Sequence, residues 1–113
     1  MEEDRVSSSN GKGSWIDFYI VAARELADWV VLAHLKDIRL AGGDEPGHVF
    51  AGPAGRMLTG AVIGEGVVDL PGVRAVMYDA GYAGWWSLEF EGAEEPLSAG
   101  VPQSLAAARA LLR

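Results

Sequence analysis

Apolar side chains recur at helical spacing near the start of the chain: Trp15, Phe18, Tyr19, Ala22 and Leu26 share one face. Ser14 stands where an N-cap belongs, and Asp17 three residues on completes a capping-box pattern. A helix is predicted from Ser14 on, preceded by a polar, Ser/Gly-rich flexible tail over residues 1–13. The next run, Trp29 to Leu35 (WVVLAHL), is short, apolar and β-branched between polar boundaries, as a strand buried on both faces reads. Alternation puts Leu32, His34 and Lys36 on one side of it and Val31, Ala33 and Leu35 on the other.

From Ala41 to Val68 Gly and Pro interrupt every pattern, which predicts a long loop, either functional or a disordered insert. Asp69 then caps a helix with Leu70, Pro71, Val73, Val76 and Met77 at helical spacing, and Gly81 supplies the stop. Trp85 to Glu91 (WWSLEFE) alternates as a second strand, with Trp86, Leu88 and Phe90 opposite Trp85, Ser87, Glu89 and Glu91. Pro102 to Arg113 closes the chain as a helix with Leu105, Ala108 and Leu112 on one face. Helices alternating with strands imply right-handed βαβ connections and a parallel pair. Two strands cannot bury the apolar faces of three helices, so the pattern is that of a piece of a larger α/β structure.

Composition narrows the chemistry. At 113 residues the chain holds one small domain, and half of its residues are apolar, which excludes wholesale disorder. A net charge of −7 argues against nucleic acid and anionic membranes as partners. The absence of cysteine removes disulfides, thiolate catalysis and cysteine zinc sites. Met1–Asn10 has no basic, apolar signal pattern, and the apolar stretch Trp29–Ala33 is far short of the roughly 20 residues a membrane span needs. A soluble, cytoplasmic protein is expected.

His34 sits at the end of the first strand in HLKD. It is either a hydrogen-bonded strand-end histidine or a ligand for a divalent metal, to which a neutral imidazole is suited. Glu89 takes the equivalent place on the second strand, between Leu88 and Phe90, where a carboxylate needs a metal, a cation or solvent. Glu91 lies nearer the rim and is expected to be solvated. Lys36 and Arg39 could hold an anionic or polyhydroxyl substrate; alternatively Lys36 pairs with Asp37, Glu89 or Glu91. His48, in the loop, is read as incidental. IGEGVVD lacks the length and lysine of a phosphate-binding loop, and its glycines fit a tight turn into the Asp69 helix.

Together AHLKDIR, IGEGVVDLPGV and AGYAGWWSLEFEG resemble the closing β/α units of xylose-isomerase-like sugar-phosphate isomerases and epimerases, over residues 15–113. The resemblance implies an α/β fold that is part of a (β/α)8 TIM barrel, its seventh and eighth strands with the preceding helix. It implies a divalent metal (Mn, Co, Mg or Zn) held by glutamate, aspartate, histidine and glutamate, the last two matching His34 and Glu89. Glu89 would also be the general acid/base, Arg39 and Lys36 would bind the sugar or sugar phosphate, and the reaction would be proton transfer next to a carbonyl. A typical barrel has about 250 residues, so the other two ligands would come from a missing N-terminal barrel portion or from a homo-oligomer. Alternatives are a non-catalytic barrel remnant acting as an interaction module, or an inosose dehydratase or hydroxypyruvate isomerase. Apurinic endonucleases on related barrels are argued against by the acidic charge and the single strand-end histidine.

Overall fold

The structure, a computed structural model, describes residues 14–113, and their side chains from residue 19 on. The tail over residues 1–13 and the capping box of Ser14 and Asp17 lie outside what it describes. The first helix, α1, is Ser14–Leu26, and a single 3-10 turn, Ala27–Trp29, ends it. Strand β1 follows as Ala33–Leu35 and pairs in parallel with β5, Trp86–Leu88. Between them come the antiparallel strands β2 (Asp37–Leu40), β3 (Val49–Ala51) and β4 (Met57–Ala61), then helix α2 (Leu70–Asp79). Helix α3 (Val101–Leu111) follows β5 through a π-helical turn, Pro96–Gly100. The domain is α/β, with mixed helices and strands, and neither of its two sheets closes into a barrel.

Parallel pairing of the two predicted strands is observed, but both are much shorter than their apolar runs. Ala33 pairs with Trp86 and Leu35 with Leu88, and the ladder extends only to the flanking bonds Ala33 N–Trp85 O (3.2 Å) and Glu89 N–Leu35 O (3.0 Å). Outside that ladder the run's first residues are exposed except for the half-buried Val30. Trp29 is 80 % exposed, Val31 89 % and Trp85 83 %. The apolar run was expected to be buried on both faces; instead its first half is a turn with its side chains in solvent.

The long loop is the larger departure. Residues 41–68 contain a hairpin, β3–β4, and β2 joins it to make a three-stranded sheet in the order β2–β4–β3. Asp37 stands opposite Ala61 and Leu40 opposite Leu58, while Val49 pairs with Thr59. The hairpin holds because β4 beyond Met57, and the two residues after it, are buried: Leu58, Thr59, Ala61, Val62 and Ile63 are each at most 3 % exposed. The Thr59 hydroxyl, which would be costly there without a partner, donates to the His48 carbonyl at 2.6 Å. Gly and Pro mark the turns between these strands rather than one unstructured span.

Helix α2 forms as its signals predict. The Asp69 carboxylate accepts from Gly72 N (3.0 Å), Pro71 occupies the first turn, and Gly81 leaves the helix with φ +85°. Helices α2 and α3 cover one face of the β1–β5 pair, where Leu35, Ile63, Leu70 and Ala108 form the core with Trp86, Leu88 and Leu111 against it. Tyr78 and Tyr82 meet the Trp86 ring edge-on, at 6.2 and 5.5 Å between centroids. Ser104 is fully buried on α3 and accepts from Ile63 N at 3.2 Å, tying the helix to the end of the hairpin. Helix α1 packs on α2. No helix among the described residues is long and apolar enough to cross a membrane.

Candidate functional site

The pleat of the β1–β5 pair sorts its side chains. Leu35, Trp86 and Leu88 turn into the helices, so their neighbours His34, Lys36, Ser87 and Glu89 turn away from that core. His34 stands opposite Ser87 in the register, and Glu89 follows directly after β5. The two predicted ligands are therefore brought together at the carboxyl ends of adjacent parallel strands. His34 Nδ1 lies 3.5 Å from Glu89 Oε1, with side chains 58 % and 46 % exposed. A polar contact that open contributes about 0–1 kcal/mol to stability, so folding alone gives little reason for it.

Lys36 joins the same group. Its ammonium donates to the Glu91 carboxylate, lies 3.9 Å from Glu89 Oε2, and sits 5.3 Å from the centre of the Phe50 ring. Of the two roles open to Lys36, pairing with Glu89 and Glu91 is present. Glu91 is exposed, as expected, and also paired, and the bond from Lys36 holds its carboxyl below the usual carboxylate range. One strand thus presents an imidazole and an ammonium, the other two carboxylates.

Arg39 is engaged elsewhere. It lies on β2, in the antiparallel sheet, and grips Glu45 through two bonds, Nη1–Oε1 at 2.8 Å and Nη2–Oε2 at 2.7 Å. The bidentate bond raises the guanidinium pKa and lowers that of Glu45, which also accepts from Gly42 N. A substrate anion at Arg39 would have to displace that carboxylate. His48 stacks on Phe50, with ring centroids 6.1 Å apart, at the start of β3.

Asp37 carries weight that its place in the sequence did not announce. It is 1 % exposed and accepts four backbone N–H groups: Ile38 (2.9 Å) and Val68 (3.3 Å) on Oδ1, Gly64 and Gly66 (both 2.9 Å) on Oδ2. It sits one residue after Lys36 and ties the exit of β1 to the loop that leads into α2. The Gly-rich IGEGVVD segment is thus a turn wrapped around a buried carboxylate, in keeping with its predicted tight turn. The only hint in the sequence was a lone Asp between Lys36 and Ile38, with a glycine-rich stretch far downstream.

The donor set can be tested against a divalent ion. Two ligands each about 2.1 Å from one ion at the tetrahedral angle stand roughly 3.4 Å apart, close to the His34–Glu89 separation of 3.5 Å. Imidazole and carboxylate are also the right donor types. Among the described residues no third His, Cys, Asp or Glu joins them, so the pair offers two donors where a four-ligand site needs two more. No family model matches the chain, and no curated protein matches it.

Proposed function

We propose that this chain is the closing part of a (β/α)8-type sugar or sugar-phosphate isomerase or epimerase, in which His34 and Glu89 form half of a divalent-metal site. The observation that carries this proposal is their meeting at the carboxyl ends of adjacent parallel strands, 3.5 Å apart, on the side turned away from the helices. Functional groups of (β/α)8 enzymes stand at that end of the strands. Half of the site is then completed from outside these two strands.

In this role His34 and Glu89 would hold the ion, and a bound divalent ion would supply Lewis-acid polarisation of a carbonyl and its neighbouring hydroxyl. Glu89 takes or returns the proton at the carbon beside that carbonyl, and its exposure leaves it open to a substrate. Lys36 neutralises Glu91 and stands within 3.9 Å of Glu89, so it keeps positive charge beside the carboxylate that moves the proton and is placed to meet a hydroxyl or phosphate oxygen. Arg39 contributes to substrate only after releasing Glu45.

The test is deuterium exchange from solvent into ketoses and ketose phosphates with Mn²⁺ present. Exchange that disappears in Glu89→Gln, with unchanged circular dichroism, supports the assignment. Exchange that persists in Glu89→Gln sinks it. A non-catalytic interaction module is the second proposal, favoured by the exposure of Trp29, Val31 and Trp85 on the amino-terminal side of the strand pair. Binding of a partner with no exchange on any ketose would select it.

A further inference from the structure

Among the described residues the parallel sheet has two strands, and its two outer edges differ. The bonds Ala33 N–Trp85 O and Glu89 N–Leu35 O turn the peptides of Ala33 and Leu35 toward β5. The alternate peptides of Leu32, His34 and Lys36 therefore point to the opposite side. Along that edge runs a cleft of about 420 Å³ walled by Tyr19 and Leu26 of α1 and by Val73 and Met77 of α2. On β5 the peptides of Trp86 and Leu88 point outward in the same way, beside a cleft of about 320 Å³ walled by Leu105, Ala108 and Leu112 of α3. Each edge is a row of backbone donors and acceptors next to an apolar slot, which is a template for a further strand.

The edges complement each other. At its carboxyl end β1 carries His34 and Lys36, whereas β5 leads into Glu89 and Glu91. They are also the two sides of one parallel ladder, so each matches the other in strand direction. Residues 1–13 (MEEDRVSSSNGKG) are too polar to fill either slot.

We propose that the occupant of each edge is a second copy of this chain, with β1 of one copy pairing in parallel with the outer edge of β5 of the next. Such a contact is head-to-tail, and it closes only if rotation completes a ring. Each copy brings two parallel strands, and a closed parallel barrel has eight, so four copies close it. Glu89 then stands between its own copy's His34 and that of the next copy. The count of four copies and this last consequence rest on the proposed (β/α)8 metal-dependent function; the pairing of edges does not.

Light scattering and native mass measurement on the 113-residue chain test the ring. A mass four times the 12.0 kDa of one chain is expected. Leu32→Pro removes a donor from the outer edge of β1 and leaves the Ala33–Trp85 bond in place. Leu105→Arg puts a charge into the slot beside β5. Each variant alone is expected to be a folded monomer by circular dichroism, and an equal mixture is expected to double in mass, because each retains the edge the other lacks. Should Leu32→Pro fail to fold, Leu105→Arg mixed with wild type still tests the contact, since it ends the assembly below four copies.

A wild-type chain that stays monomeric at its highest soluble concentration overturns the proposal and leaves the edges to a different polypeptide. So does an oligomer that neither variant disturbs. Mn²⁺ binding by paramagnetic resonance, compared with His34→Ala, separates the two ideas. A monomer that binds Mn²⁺ through His34 overturns the ring while sparing the metal site. A ring whose Mn²⁺ binding is unchanged by His34→Ala supports the assembly and removes the metal site.

Discussion

Replacing Asp37 by Asn changes one oxygen to an amide and should cost far more than its size suggests. Asp37 is 1 % exposed, with each carboxylate oxygen accepting two backbone N–H groups. Asparagine keeps one accepting oxygen, so whichever pair of N–H groups faces its NH₂ loses both bonds and meets another donor. A hydrogen bond to a charged acceptor contributes about 1.5–3 kcal/mol, and a buried donor left unpaired forfeits a similar amount. Some of that is recovered because Gly64 and Gly66 are reached by water once the turn loosens. A net loss of about 3–5 kcal/mol is expected, against the roughly 5–15 kcal/mol that stabilises a domain of this size. Urea unfolding followed by the fluorescence of the four tryptophans measures the loss. Amide exchange at Ile38, Gly64, Gly66 and Val68 localises it. A loss below about 1 kcal/mol, or unchanged protection of all four amides, would refute the role assigned to Asp37 in tying β1 to the turn before α2.

The same turn predicts opposite reasons for intolerance at its two glycines. A Cβ on Gly66 would lie 2.2 Å from both Asp37 Oδ1 and the Ile38 carbonyl, whereas one on Gly64 meets open space but sits at φ +91°. Gly66→Ala should therefore destabilise by more than about 2 kcal/mol and Gly64→Ala by about 1–2 kcal/mol, measured by the same urea titration; the reverse order would contradict the geometry. Acid sensitivity follows from Glu45. Its carboxyl is held below its unfolded value of about 4.3 by Arg39, so its contribution is present above that pH and is lost as pH falls through the folded pKa. Glu45→Gln should lower the melting temperature near neutrality and converge with wild type in acid; parallel curves at all pH values would show that the clasp is not linked to folding. Lys36→Met removes the cation 3.9 Å from Glu89 and should tighten Mn²⁺ binding by up to about fivefold, the equivalent of about 1 kcal/mol for an exposed pair. Weaker binding would mean that Lys36 organises the ligands rather than competing for them.

Local signals on the chain were enough for the elements whose stability is local. The α2 boundaries follow from Asp69, Pro71 and Gly81, and α3 from the spacing of Leu105, Ala108 and Leu112, because caps and periodicity act within a few residues. Parallel pairing also followed from the alternation of strands with helices, whereas the register sets His34 opposite Ser87 and leaves Glu89 just past the end of β5. What the tertiary structure decided is everything that depends on a distant partner. The length of β1 is set by the three residues of β5 available to it, not by its own seven-residue apolar run, so Trp29 and Val31 are left in solvent. The hairpin within residues 41–68 forms because Leu58, Thr59 and Ala61 find cover, although glycine and proline break up their pattern. Asp37 becomes the hub of a turn only when Gly64, Gly66 and Val68 are folded back to it from some 30 positions away. Arg39 was free to meet a substrate until Glu45, six residues on, took both of its nitrogens. Local order is written within a turn or two of the chain; a buried charge, a strand's end and a cation's partner are settled only when remote segments share one volume, since burial is a property of that volume.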